Sequence, residues 1–336
     1  SEEGTAKSNS GSDRYNLRSN VDIQLSPWLK IGANLALSYT KYQTIVTGWY
    51  TQSPILQAVT GIPYYTPYQL VYNEDGTLSY GDVYEVYPWD NSIDLNEYYK
   101  KNTNDREVVS LMGQTFFLFT PLKGLNIRLQ QAADAFDYTN QSIYYPSYTP
   151  SSARGSNSQA FQRYSQLSST NTVEYKNDMA GKHFFTFLLG HESFVKKEKT
   201  FSLTGSGLTD DRLVSIGSAT SIDSWAGGTI ECAFNSFFFN MNYDFSGKYF
   251  VDASVRTDGS SLFGKNHRYA TFYSVGGMWK MKREPFLLDA SWLDDLNMNL
   301  SYGTTGNSGL SEWYASLGLV GSGPKYNGNA GWAISQ

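Results

Sequence analysis

From Leu17 to Thr40 the chain alternates with a period of two, broken by a single tight link. Leu17, Ser19, Val21, Ile23 and Leu25 alternate with Arg18, Asn20, Asp22 and Gln24. After Ser26-Pro27, Leu29, Ile31, Ala33, Leu35, Leu37 and Tyr39 alternate with Lys30, Gly32, Asn34, Ala36, Ser38 and Thr40. A strict two-residue period of this length puts one residue set on each face of a sheet. Arg18 and Asp22 therefore share a polar face, and the pair reads as a hairpin of two long strands.

The same reading predicts strands near 107–120, 125–139, 159–176, 183–203, 229–245, 249–262, 269–282 and 295–304. In 229–245 the apolar phase slips, from Cys232 and Phe234 to Phe237, Phe239, Met241, Tyr243 and Phe245. A β-bulge near Asn235-Ser236 is the expected cause. Tight links at Ser26-Pro27, 121–124, 177–182 and 246–248 alternate with long ones at 43–106, 140–158 and 204–228. Short turns at one end and long loops at the other are the build of outer-membrane barrels, the short turns being periplasmic.

Composition fits this reading. Aromatics make up 16% of the 336 residues and charged residues only 17%, which suits a pleated, half-buried surface and not a disordered chain. The mean hydropathy is −0.42 and no apolar run reaches the length of a membrane helix. A barrel strand needs only about 10 alternating residues, a signal that hydropathy averaging hides. Trp28, Phe116, Phe117, Phe119, Phe184, Phe185, Phe187, Phe245, Tyr249 and Phe250 gather beside the short turns, where a membrane-interface girdle is expected. The competing explanation is a soluble core capped by aromatics. A net charge of −5 lacks the basic footprint of a nucleic-acid binder, and the lone Cys232 cannot build a disulfide framework.

Two stretches carry a family likeness. Arg256-Thr257-Asp258-Gly259-Ser260-Ser261-Leu262-Phe263-Gly264, continuing through Arg268-Tyr269-Ala270 to Trp279, resembles a barrel region of the SusC/RagA family of TonB-dependent outer-membrane transporters. Ser301-Tyr302-Gly303-Thr304-Thr305-Gly306-Asn307, preceded by Trp292-Leu293-Asp294-Asp295-Leu296, resembles the element that follows it there. The opening Tyr15 to Asn20 and Trp28 to Gly32 are similar to an early-barrel hairpin of that family.

The resemblance implies an all-β fold: an antiparallel up-and-down barrel, present over 1–336 as about ten strands of a larger one. The family's plug domain and C-terminal strands are not recognisable in this sequence, and both ends read as internal. It further implies import of oligosaccharides or peptides across the outer membrane of a Bacteroidetes-type bacterium. TonB would supply energy through the N-terminal region that is not seen, and a SusD-like lipoprotein and outer-membrane lipid would be the partners. Neither an enzyme nor a cofactor is implied.

The chemistry-bearing residues agree. His183 and His191 lie on one strand face but eight residues apart, too far to share a metal, and no zinc-ligand spacing occurs. Asp210-Asp211 and Asp294-Asp295 are adjacent pairs, unlike the two carboxyls a glycosidase sets across a scissile bond. The densest candidate is 49–99, with twelve Tyr and Trp residues. Trp49, Tyr64, Tyr65, Tyr68, Tyr87 and Trp89 are the expected substrate- or partner-binding side chains, because such rings offer a flat apolar face and a polar edge. Self-packing of the loop is the other expectation. The alternative for the whole chain is a soluble or surface-attached β-sandwich that binds glycan through this loop.

Overall fold

A computed structural model describes residues 11–44, 102–146, 155–306, 319–327 and 329–335. Ten strands form one antiparallel sheet in sequence order: β1 (Gly11–Ser26), β2 (Leu29–Gln43), β3 (Thr103–Leu122), β4 (Leu125–Tyr144), β5 (Gly155–Met179), β6 (His183–Leu208), β7 (Ser221–Phe245), β8 (Tyr249–Ser260), β9 (Tyr269–Lys280) and β10 (Asn297–Gly303). One four-residue helix, α1 (Pro285–Leu288), lies between β9 and β10. A separate hairpin pairs β11 (Leu319–Tyr326) with β12 (Asn329–Ser335), which the sequence pattern did not reveal.

The sheet has the build of a partial up-and-down barrel wall. It is one continuous sheet, so the two packed sheets required by the sandwich alternative are not formed by these strands. The links β1–β2, β3–β4, β5–β6 and β7–β8 are all short and, in a meander, all lie at one end. Two of them share an Asp-x-x-Gly device. Asp178 Oδ1 accepts from Gly181 N at 2.9 Å, and Asp244 Oδ1 from Gly247 N at 2.7 Å. Ala180-Gly181 and Ser246-Gly247 both take positive φ, the conformation that matches a tight turn to strand twist.

Pairing is in step from β1 to β9. Val21 pairs with Ala33, Ala33 with Thr115, Thr115 with Gln131, Gln131 with Ser169, Ser169 with Ser193 and Ser193 with Asn235. Directly paired residues share a face, so odd-numbered residues fall on one side of the sheet and even-numbered ones on the other. The even set is the less accessible: Cys232 and Ser236 are buried while Ala233 and Phe237 are exposed, and Asn34, Ala36 and Ser38 are less open than Ala33, Leu35 and Leu37. The even face is therefore the concave, lumenal one. Leu29, Ile31, Leu35 and Leu37 lie on the convex face and Lys30 and Asn34 on the concave face, as the alternation predicts.

The convex face carries its own boundaries. Near the short turns lie Phe117, Phe119, Phe185, Phe187, Phe245, Tyr249 and Trp279. Toward the long connections a row of ion pairs appears: Asp137 with Arg163 at 2.8 Å, Lys41 with Glu107 at 3.9 Å, and Lys197 with Glu231. Between them β4 runs from Leu125 to Ala135, the length a tilted strand needs to cross hydrocarbon. Within this band the Gln131 and Asn171 amides each donate to Ser169 Oγ, and His191 bonds Asn235. Their mutual bonds lower the cost of holding polar groups there.

Three expectations are corrected. Register runs unbroken through Asn235 and Ser236, so no bulge lies there. The phase slip arises because β7 is aromatic on both faces, with Phe234 and Phe238 inward and Phe237 and Phe239 outward. Phe116, Phe184 and Phe250 likewise sit on the inner face and do not join the girdle. The connection expected over 204–228 shrinks to 209–220, because β6 and β7 stay paired out to Ser206 and Ser221.

Candidate functional site

The inner face is the surface a solute inside the barrel would meet, and it is built from two clusters. The first spans β6 to β8. Arg256 Nη2 donates to Glu192 Oε2 at 3.0 Å and Arg256 Nε to Asp258 Oδ1 at 2.6 Å. Its guanidinium carbon lies 5.5 Å from the Phe238 ring centre and 5.9 Å from that of Phe234, within cation–π range. Ser236, fully buried, donates its hydroxyl to Asp258. One cation thus holds two carboxylates between two aromatic faces.

Local sequence makes this geometry possible. Gly190 faces Phe238, and a Cβ at Gly190 would come within 2.0 Å of that ring. The ring can lie on the sheet only because no side chain stands there. Beyond Asp258, Gly259-Ser260-Ser261 bend the chain back. Ser261 N donates to Ala233 O at 2.9 Å and Ser261 Oγ accepts from Ala233 N at 2.9 Å, closing the end of β8 onto β7. The Asp258-Gly259-Ser260-Ser261 stretch therefore both turns the chain and sets the carboxylate that orients Arg256.

The second cluster spans β1 to β5. Lys30 pairs with Asp22 at 2.9 Å, and Arg128 stacks 4.1 Å over Phe116, which itself lies against Gly32. Beside it an open groove of about 830 Å³ is lined by Arg18, Asn20, Asp22, Asn34, Gln114, Asp134, Gln166 and Ser168. A smaller hollow of about 280 Å³ is lined by Glu174, Asn240, Asn242, Asp252, Ser254 and Ser274. Amides, hydroxyls and charges of both signs line these surfaces, which suits contact with polar, hydrogen-bonding matter.

Trp49, Tyr64, Tyr65, Tyr68, Tyr87 and Trp89 lie outside the described residues. At the root of their connection Asn102 Oδ1 accepts from Tyr145 N at 2.8 Å, tying two long connections together. The histidines do not meet: His183 Nδ1 bonds the Tyr243 hydroxyl at 2.8 Å and His191 Nε2 bonds Asn235 Oδ1 at 2.7 Å. Among the described residues no group of three or more His, Cys, Asp or Glu could hold a metal ion. Asp210, in the β6–β7 connection, is gripped by the Arg212 guanidinium and backbone N–H, which hold its carboxyl down to about 2. It stays ionised and has no proton to give as a general acid near neutrality.

Comparison with known proteins follows the same lines. No family model matches the chain. TonB-dependent receptor P26 of Formosa agariphila is 28% identical over 331 residues, 95% of this chain and 31% of that protein. TonB-dependent receptor SusC of Bacteroides thetaiotaomicron is 39% identical over 84 residues, 25% of this chain and 8% of that protein. The structure of the RagAB peptide transporter superposes with a TM-score of 0.79 at 30% identity, over 97% of this chain and 36% of that one. This chain is SusC-like: its sheet matches part of the barrel of such a transporter. The SusC-like segment spans about a third of the length of the curated relative P26. These three proteins are named as receptors or transporters.

Sequence reasoning missed the inner-face cluster of the SusC-like wall. Its signal was present as the phase slip in β7, which marks the point where both faces turn aromatic. Glu192, two strands away from Arg256, carries no local sequence sign of that pairing.

Proposed function

We propose that the protein of which this wall forms part imports oligosaccharides or peptides across the outer membrane, energised by TonB and lidded by a SusD-like lipoprotein. One observation carries the reading: an apolar convex band bounded by aromatics and ion pairs backs a concave face of amides, hydroxyls and paired charges. Such a wall is stable only with lipid outside and polar matter inside. The likeness to SusC and to the RagAB peptide transporter supports the substrate class and the lipoprotein partner. The wall itself would supply lumen lining and outward loops, not catalysis.

The test is uptake by the native bacterium. Deleting the gene should abolish uptake of one class of labelled oligosaccharide or peptide, and deleting TonB should have the same effect. Affinity purification of the full-length protein should bring down one lipoprotein. Parental uptake of both solute classes in the gene-deletion strain would refute the reading.

The aromatic stretch 49–99 belongs to the same proposal. Replacing Tyr64, Tyr65 and Trp89 with Ala in the full-length protein should weaken uptake or lid association while the barrel still assembles. If both stay at parental levels, those rings only pack their own loop.

A further inference from the structure

The β9–β10 turn breaks the pattern of short links at its end of the sheet. Its sixteen residues, 281–296, are ordered by a dense set of tethers. Glu284, whose side chain is only 11% exposed, accepts from the Tyr249 hydroxyl at 2.6 Å, from Trp279 Nε1 at 3.1 Å and from Lys248 Nζ at 3.3 Å. Arg283 Nη1 donates to Gly247 O at 2.9 Å, across to the neighbouring turn. Lys282 Nζ binds the carbonyls of Leu287, Leu288 and Ala290 at 3.1, 3.3 and 2.6 Å, gathering the end of α1 and the residues just after it around one ammonium.

So firm a turn would be expected to bury its apolar side chains, yet it exposes them. Phe286 is 67% exposed, Leu288 61% and Trp292 79%. The tethers say which side of the wall they occupy. Tyr249 pairs with Trp279 and Trp279 with Met298, all on the convex face. Glu284 can reach both the Tyr249 hydroxyl and the Trp279 indole only by bringing the turn to that outer side, away from the lumen. The patch is thus continuous with the exposed apolar band that runs on through Met298 and Leu300.

We propose that this turn is an interfacial anchor, with Phe286, Leu288 and Trp292 seated at the boundary between phospholipid headgroups and acyl chains of the periplasmic leaflet. Trp is suited to that depth because its ring is apolar and its N–H wet. Short amphipathic segments bind such boundaries through buried apolar area. Charge is not the driver. Lys282 and Arg283 are offset by Glu284, Asp289, Asp294 and Asp295 on the same turn, so the contact does not depend on anionic lipid. The anchor would fix the height of the wall at its periplasmic rim.

The experiment uses the full-length protein in a phosphatidylcholine bilayer, with a nitroxide label placed in turn at Ser291→Cys and at Phe286→Cys. A Leu35→Cys label reports the convex band. At both turn positions, collisions with dissolved oxygen should exceed those with a water-soluble nickel chelate several-fold, as at Leu35→Cys. Adding salt should leave that ratio unchanged. A turn label open to the nickel chelate while the Leu35→Cys label is shielded would overturn the anchor alone. Nickel access at Leu35→Cys as well would overturn the membrane reading with it. A turn label immobile and closed to both reagents would mean that protein covers the patch, which also refutes the proposal.

Discussion

Arg256 on β8 reaches Glu192 on β6 at 3.0 Å across the whole width of β7. Strands two apart lie about 10 Å from each other, a span that a long Arg side chain and a Glu bridge together. The pair therefore joins three strands that backbone pairing links only two at a time. Both side chains remain 37% exposed, so the Coulombic gain is screened by water.

Loss of this bridge is expected to be modest. Arg256→Ala should lower the unfolding free energy of the full-length protein by about 1 kcal/mol, the scale of a partly exposed network. A double-mutant cycle with Glu192→Gln should return part of that as coupling. Urea unfolding in lipid bilayers measures both, and zero coupling would mean that the two side chains are neighbours without interaction.

Gly190 and Phe238 form a steric lock on the same face. Gly190→Ala would drive a methyl into the Phe238 ring. The expected cost is about 1–3 kcal/mol, typical of overpacking. Adding Phe238→Ala should recover most of it, since the methyl then has room. If the double variant is no more stable than Gly190→Ala, the lock lies elsewhere.

Sequence and structure agree best where side chains alternate cleanly. Leu17 to Thr40 fixes two strands, their facing and their turn, because a period of two admits one arrangement against lipid. The strand ends were less legible. β6 is legible only to 203 and β7 only from 229, because Gly205, Gly207, Gly227 and Gly228 break the alternation where the two strands stay paired. Long-range contacts were the least legible. Glu192 and Arg256 are 64 residues apart, and only the closed register of three strands brings them together.

Facing has a direct energetic consequence at Leu35. Leu35→Arg on the convex band should destabilise the membrane-folded protein by about 2–4 kcal/mol if the residue sits near the bilayer midplane. Asn34→Arg, one residue away on the lumenal face, should cost little by comparison. Equal effects in a bilayer unfolding assay would mean that lipid is not what Leu35 meets.

Acid should release the β9–β10 turn late. The Glu284 carboxyl is held below its ordinary value of 4.5, first by the Tyr249 hydroxyl, then by the Trp279 indole, with Lys248 adding to both against the opposing effect of burial. A depressed folded-state pKa means that the tether contributes stability above the ordinary carboxyl titration and loses it as pH falls through the lowered value. A spin label at Ser291→Cys should therefore keep its neutral-pH mobility down through 4.5 and loosen only at more acidic pH. Glu284→Gln keeps an acceptor oxygen but no charge, so its turn should be looser at neutral pH and nearly indifferent to acid. Loosening of the parent turn already above 4.5 would show that the carboxylate is not what holds it.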